Sequence, residues 1–265
     1  MDTVSRTAGA ILPGERRRLI EERLREQGSV SVAALEAEFD ISPMTARRDL
    51  VELERQGVAR RTHGGAILPG LSSHEDSFFK RLQVAVEEKE QLAEAAIARL
   101  SPGDAVFVDC STTAYFAARR ALRDNFRCTL LTNSVPVMEL VCESDAPQVE
   151  LIGLGGTLRK LTRSYVGPQA VAGIEAHFAD QVVFSVAGLT DQGHLTDPDA
   201  LEAEIKRAMI RRARRAMLLV DNSKFDHAAL SVIARVAEVD VVLTAGVSER
   251  SLSPLRRTGV EVSTV

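Results

Sequence analysis

Seven short apolar runs between Asp104 and Val265 constrain this chain more than any other feature. DAVFVDC, CTLLTNS, VELIGLGG, QVVFSVAGL, AMLLVDNS, VDVVLTA and VEVSTV are rich in β-branched residues and carry little charge. Runs that are apolar at consecutive rather than alternate positions fit strands covered on both faces. Between most of them lie segments of helical spacing, such as TAYFAARRALRDN and DALEAEIKRAMIRRARR. Strands alternating with helices predict an α/β domain on a largely parallel sheet. A long helical stretch, about 78–100 and broken at SPGD, precedes the first run.

Ligands of such sheets bind beyond the carboxyl ends of the strands, so those ends carry the functional reading. The first run ends in DCSTT, Asp109 to Thr113, and a helix follows at once. The hydroxyls of Ser111, Thr112 and Thr113, with free amide groups at a helix start, form an anion site suited to phosphate. Plain helix capping is the commoner use of the same residues. Thr132 and Asn133 end the second run and supply hydrogen-bonding groups, while Gly155 and Gly156 end the third and permit close backbone approach. Lys224 adds a cation after the fifth, to pair with a phosphate or simply to be solvated. Several polar strand ends on one edge predict a binding cleft, without naming its ligand.

The N-terminal third reads differently. GERRRLIEERLREQG places Ile20 and Leu24 at helical spacing and reaches a glycine stop at Gly28. In SVAALEAEFD, Ser31 is a capping residue, and Val32, Leu35 and Phe39 make a short amphipathic helix. A tight DIS connection leads to SPMTARRDL, where Ser42 caps and Pro43 takes the first helical position. On that helix, ending near Gln56, Ala46, Leu50 and Leu53 share one side, and Met44, Arg47, Arg48 and Val51 project away. Two short helices, the second basic at its start, form the pattern of a helix-turn-helix with a recognition helix. An ordinary surface helix with solvated arginines fits the nine residues alone equally well. After Gly57, VARRTHGGAIL predicts two short strands around a tight turn, a wing carrying Arg60, Arg61 and His63.

Whole-chain properties limit the partners. The net charge is −4, and the first 68 residues are neutral, with eleven arginines against eleven Asp and Glu. Attraction to nucleic acid must therefore come from where the arginines sit rather than from bulk charge. Only 4% of residues are aromatic and there is no Trp, which disfavours base-stacking platforms for single strands. Cys110, Cys128 and Cys142 are odd in number and widely spaced, so neither a disulfide framework nor a metal site is expected. No cofactor is expected either. No apolar run approaches the ~20 residues of a membrane helix, and the start lacks a signal-peptide core. These features predict a soluble, cytoplasmic protein.

VSVAALEAEFDISPMTARRDLVELERQGVARRTHGGA resembles the winged helix-turn-helix of the DeoR family of bacterial transcriptional regulators. Thr45, Arg47, Arg48, Asp49, Leu50, Leu53, Glu54, Gly57, His63, Gly64, Gly65 and Ala66 stand in the family pattern, and Ala46 replaces the usual Ile. EDSFFKR, VEEKEQLAEAA, VFVDCSTTA, LLTNS, GLGGTLR, SYVG and LLVDNSKF follow in the order of the family's sensor domain. The likeness spans about 14–244. It implies a winged helix-turn-helix over 1–68 and an effector-sensing α/β domain over 76–265 that resembles sugar-phosphate isomerases, with the Pro-, Gly- and Ser-rich LPGLSSHEDS read as the linker between them. In the DNA-binding half, Arg48 and Thr45 would contact base edges, with Met44 beside a thymine methyl. Arg47, Arg60 and Arg61 would position phosphates, with Ser42 and His63 beside them. In the sensor, Asp109, Ser111, Thr112, Thr113, Thr132, Asn133, Gly155, Gly156 and Lys224 would line the effector site, and Lys206 also matches a family position. Members often have Gly where this chain has Ser111, which bears on the backbone angle there.

The implied function is a DNA-binding regulator, a repressor of a carbohydrate operon, whose affinity for double-stranded operator DNA is changed by a phosphorylated sugar. Paired half-sites would require a homodimer or homotetramer. A sugar-phosphate isomerase with a DNA-binding head is the alternative, with Asp191, Glu202 or Asp221 as general base. A third reading makes the winged helix a protein-interaction module.

Overall fold

The computed structural model describes residues 11–27, 29–62, 64–67, 77–225 and 227–265. The chain divides into two compact units, Met1–Ser73 and His74–Val265. His63, Gly28 and the linker positions 68–76 lie outside the described residues.

The first unit contains α1 (Pro13–Gln27), β1 (Ser29–Ser31), α2 (Val32–Phe39), α3 (Pro43–Arg55), β2 (Arg60–Thr62) and β3 (Gly65–Ile67). Both short helices start where their serines place them. Ser31 Oγ accepts from Ala34 N at 3.1 Å, and Ser42 Oγ accepts from Thr45 N at 3.2 Å. Gly57, with φ +73°, ends α3 in the left-handed region open to glycine. Ile20, Leu24, Leu35, Ala46, Leu50 and Leu53 close one small core. The two wing strands pair as expected, and β1 joins β3 on its other side to give the order β1-β3-β2. A three-residue strand is too short to leave a periodic signal. Gly65 is needed there, because a Cβ would stand 1.9 Å from the Val30 carbonyl oxygen.

The second unit runs α4 (Phe78–Leu82), α5 (Val86–Ile97), β4 (Ala105–Val108), α6 (Thr112–Arg123), β5 (Cys128–Thr132), α7 (Val135–Glu143) and β6 (Val149–Gly153). It continues through β7 (Thr157–Arg159), β8 (Ser164–Val166), α8 (Pro168–Glu175), β9 (Ala179–Phe184), β10 (Gly188–Leu189) and β11 (His194–Asp197). It closes with α9 (Ala200–Arg212), β12 (Ala213–Asp221), β13 (Ser231–Arg235), β14 (Val241–Ala245), α10 (Glu249–Arg256) and β15 (Glu261–Thr264). All seven apolar runs contribute to one sheet of order β15-β14-β12-β9-β4-β5-β6, in which every pairing is parallel. Side chains of α5, α6 and α7 cover one face and those of α8, α9 and α10 the other. That double cover explains why the strands are apolar at consecutive positions.

Three local expectations change. The helix expected over 78–100 is two helices, broken where Ala85 adopts φ +50°. The buried Lys89 side chain stabilises the break by donating to the Arg81 and Val84 carbonyls at 2.6 and 2.5 Å. Arg214 and Arg215, expected in a helix, belong to β12, whose N-terminal part pairs with β9. Finally, the β7–β8 hairpin and strands β11 and β13 had no counterpart in the strand runs, and the end of QVVFSVAGL leaves the parallel sheet to pair with β11 as β10. Among the described residues, no helix is long and apolar enough to cross a membrane.

Candidate functional sites

Capping and amphipathic spacing decide how α3 presents itself. Ala46, Leu50 and Leu53 are fully buried, while Met44 is 71% exposed and Arg47 and Arg48 lie open to solvent. Neither arginine pairs with another described residue. Thr45 is half-buried, its hydroxyl 2.9 Å from Ser42 Oγ, so cap and base-reading candidate share one hydrogen bond. Arg61 on the wing turns back to α3, its Nε donating to Glu54 Oε2 at 2.7 Å. Arg60 lies on the same strand. Asp49 has a different role from its arginine neighbours. It is buried and accepts from Arg16 Nε of α1 at 2.6 Å, fixing α3 to α1. Sequence spacing gave no sign of that partner, which lies 33 residues away.

In the larger unit, β4 sits at the point where the strand order reverses. The chain moves from β4 through β5 to β6 on one side, then returns to place β9 on the other. Such a switch point opens a crevice beyond the strand carboxyl ends, and Asp109–Thr113 occupies it. Asp109 is wholly buried, and its Oδ1 accepts from Ser111 N at 3.1 Å and from Ser111 Oγ. Ser111 Oγ also caps α6 by accepting from Ala114 N at 3.1 Å. Its φ of −70° suits any L-residue, so serine in place of glycine leaves the loop unstrained. Thr112 and Thr113 form the first helical turn, both buried.

On one side of the loop, Thr132 Oγ1 donates to the Val108 carbonyl at 2.6 Å, and Asn133 Nδ2 donates to the Tyr165 carbonyl at 2.8 Å. Asn133 Oδ1 and Ser134 Oγ are buried without a hydrogen-bond partner among the described residues. Gly155 is exposed with open space around it. Gly156 serves packing, because a Cβ would lie 2.9 Å from both Ala170 Cβ and the Val166 carbonyl oxygen.

On the other side stands a group of cations. Lys206, which the resemblance places with the effector site, is buried, with Nζ 2.8 Å from Asp197 and 3.3 Å from Asp109. Burial opposes its charge, yet Asp197 and Asp109 outweigh burial and hold its pKa well above the usual lysine value. Its ammonium therefore braces the loop from behind. Lys224, after β12, is lowered by burial, with Asp221 opposing and the Arg81 and Lys206 charges adding to the fall. Lys89 is lowered to about 8, chiefly by burial. Arg81 keeps Nε and one terminal nitrogen buried and unpartnered among the described residues. Sequence reasoning passed over Arg81 and Lys89, although both lie in the EDSFFKR and VEEKEQL segments.

The three carboxylates considered as general bases have structural surroundings. Glu202 accepts from Thr162 Oγ1 at 2.7 Å, from Ser164 Oγ and from the Cys110 thiol. Burial, then the Glu202 charge, drives that thiol well above its ordinary pKa, so it stays a neutral donor. Asp221 accepts from Ser223 N at 2.8 Å, and Asp191 is exposed in a turn. Grooves of about 400 and 330 Å³ lie at the opposite edge of the sheet, lined by Phe178–Asp180 with Arg211–Arg214 and by Arg127–Thr129 with neighbours. They are remote from the polar strand ends.

Comparison with known proteins agrees with both halves. Residues 16–70 match the DeoR-like helix-turn-helix domain, and residues 84–245 match the DeoR C terminal sensor domain. The chain is 33% identical to a putative aga operon transcriptional repressor of Escherichia coli O157:H7, across 94% of this chain and 92% of that one. It is 33% identical to the glycerol-3-phosphate regulon repressor of Escherichia coli K12, across 85% and 88%. It is 30% identical to the HTH-type transcriptional repressor GlcR of Bacillus subtilis, across 90% and 91%. Ribose 5-phosphate isomerase A of Methanocaldococcus jannaschii superposes on 53% of this chain and 54% of its own with TM-score 0.38 and 14% identity, too loosely to bear on function. With both domain models matched in order and relatives aligned over nearly the whole chain, the protein belongs to the DeoR family and is a DNA-binding transcriptional regulator rather than an enzyme.

Proposed function

We propose that this regulator is a repressor of a carbohydrate operon and that a phosphorylated sugar or polyol, bound at the β4 switch point, changes its affinity for operator DNA. One observation carries the effector reading: unpartnered buried groups of two chemical kinds gather at the strand ends. Arg81, with Lys89 and Lys224 nearby, offers cationic donors to a phosphoryl group. Asn133 Oδ1 and Ser134 Oγ offer an acceptor and a hydroxyl to a polyol. Thr112 and Thr113 bring the amide end of α6 to the same anion. Asp109 and Lys206 shape the loop from behind, and Gly156 lets the turn after β6 approach α8 closely. Two relatives bear names tied to the aga operon and the glycerol-3-phosphate regulon, which fits this chemistry.

At the DNA, Arg48 and Thr45 read base edges beside Met44, and Arg47, Arg60 and Arg61 hold phosphates, with Ser42 keeping the helix start in place. His63 belongs to the same proposal. The protein acts as a homodimer or homotetramer on paired half-sites. The units divide as 1–68 for DNA binding and 76–265 for sensing.

The test is fluorescence anisotropy of a labelled duplex from upstream of the protein's own gene, at two salt concentrations. A pool of glycerol 3-phosphate with pentose and hexose phosphates is then added. Tight, salt-sensitive binding altered by the pool supports the proposal. Binding indifferent to the pool removes the effector assignment, and turnover of a sugar phosphate would return the isomerase reading.

A further inference from the structure

Glu202 is 1% exposed, yet it carries a carboxylate whose close partners are mostly neutral. One oxygen, Oε1, accepts from Thr162 Oγ1 at 2.7 Å and from Ser164 Oγ at 2.5 Å, both on the β7–β8 hairpin. The other accepts from the Cys110 thiol, inside the loop that follows β4. Arg159 stands at 3.9 Å. A single buried carboxylate thus ties the strand-end loop to the hairpin. Because an under-satisfied buried charge is costly, the loop side and the hairpin side are not free to move independently.

The hairpin has two further attachments. Toward the strand ends, Tyr165 N donates to the Asn133 carbonyl at 2.8 Å, and Val135 N donates to the Arg163 carbonyl at 2.9 Å. Toward the chain entry, the Leu161 carbonyl accepts from Phe78 N at 3.1 Å, and the Arg163 guanidinium lies 5.2 Å from the Phe79 ring centroid. Phe78 opens α4, the first helix of the sensor unit after the last wing strand, and α4 also carries Arg81. One short hairpin therefore reaches the loop after β4 through Glu202 and directly touches the loop after β5 and the first turn of the helix that the incoming chain enters.

We propose that the β7–β8 hairpin, anchored by Glu202, transmits occupancy of the strand-end site to the start of α4 and so to DNA binding. The proposal rests on the strand ends being the effector site. Glu202, Thr162 and Ser164 act as positioning residues: they carry the response without meeting the effector. Coupling of this sort needs an element with two arrangements that both sites bias, and the hairpin is bonded to α9, to the loop after β5 and to α4 together.

The experiment uses the full chain with Thr162→Val/Ser164→Ala. Three quantities are read: the duplex Kd alone, the rise in Tm on adding the sugar-phosphate pool, and the ratio of duplex Kd with and without the pool. In the unaltered protein that ratio should lie in the roughly 5- to 150-fold range of ordinary allosteric coupling. In the double variant the duplex Kd alone and the Tm rise persist, while the ratio falls to within about twofold of one. A ratio unchanged from the parent overturns the proposal, and so does simultaneous loss of the Tm rise, which would place the hairpin in ligand binding itself. No Tm rise and no ratio in the parent defeats the effector reading, a failure distinct from the hairpin's. If the double variant does not fold, Arg163→Ala, which removes the Phe79 contact and the Glu139 pair at the surface, takes its place. A threefold or greater fall in the ratio supports transmission, and no fall overturns it.

Discussion

The two units handle positive charge in opposite ways. On the recognition helix, Arg47 and Arg48 stand in solvent without partners among the described residues, while the acidic neighbour between them and Leu50, Asp49, is turned inward to Arg16. At the strand ends, the cations lie inside the protein: Lys206 is held between Asp109 and Asp197, and Lys89 and Lys224 are lowered by burial. The contrast follows from the two ligands proposed. A duplex is a wide polyanion, met by hydrated side chains that keep their charge and release counterions. A small phosphate ester offers one anion, and a desolvated cation, poorly stabilised by the protein alone, gains most from it.

The largest expected effect attacks the buried side of this contrast. Lys206→Met leaves Asp109 and Asp197 as buried carboxylates without their shared cation, and stability should fall by about 3–5 kcal/mol in urea unfolding. A loss below about 1 kcal/mol would mean that the site does not depend on this bracing.

Next comes pH. The Lys89 pKa is about 8 in the folded chain against an ordinary 10.5. Below pH 8 both states hold the proton and the burial penalty is present in full. Between about 8 and 10.5 the unfolded chain still binds a proton that the folded one has released, so stability rises with pH, by at most about 3 kcal/mol. Subtracting the same curve for Lys89→Met isolates the rise. The affinity of inorganic phosphate should fall over the same onset, because the site loses a cation as pH passes 8. A flat difference curve would show that Lys89 titrates as a solvated lysine.

The exposed side is tested by Arg48→Ala. Loss of a base-edge contact should weaken duplex binding by about 1–3 kcal/mol and relax sequence preference at one position, as read by competition anisotropy. Unchanged strength and preference would instead favour a protein-interaction role for the winged helix. The smallest effect belongs to Arg61→Ala. Its ion pair with Glu54 is solvent-exposed, so stability should change by no more than about 1 kcal/mol, while the salt dependence of duplex binding becomes shallower by about one unit of slope.

Much of this architecture was legible beforehand for local reasons. The caps at Ser31 and Ser42 and the stop at Gly57 are residue-level chemistry, and the α3 faces follow from helical spacing. The seven sheet strands were readable because burial on both faces leaves no room for alternation. The β1 strand and the β7–β8 hairpin escaped because they are stabilised by partners far along the chain, β3 for the first and Glu202 with Asn133 for the second, whereas the break at Ala85 is held by the nearby Lys89, whose burial spacing alone does not reveal.

The same division separates the site residues. By itself the sequence determined which positions begin helices, which runs must be covered on both sides, and which polar residues fall at strand ends, because these depend on neighbours within a few residues. Only the tertiary structure decided that Lys206 faces inward between two aspartates, that Arg81 and Lys89 join Lys224, and that Glu202 binds a hairpin rather than a proton in transit. Spacing along a helix says which residues share a face, whereas desolvation and charge pairing depend on what packs against that face, and those partners arrive from distant parts of the chain.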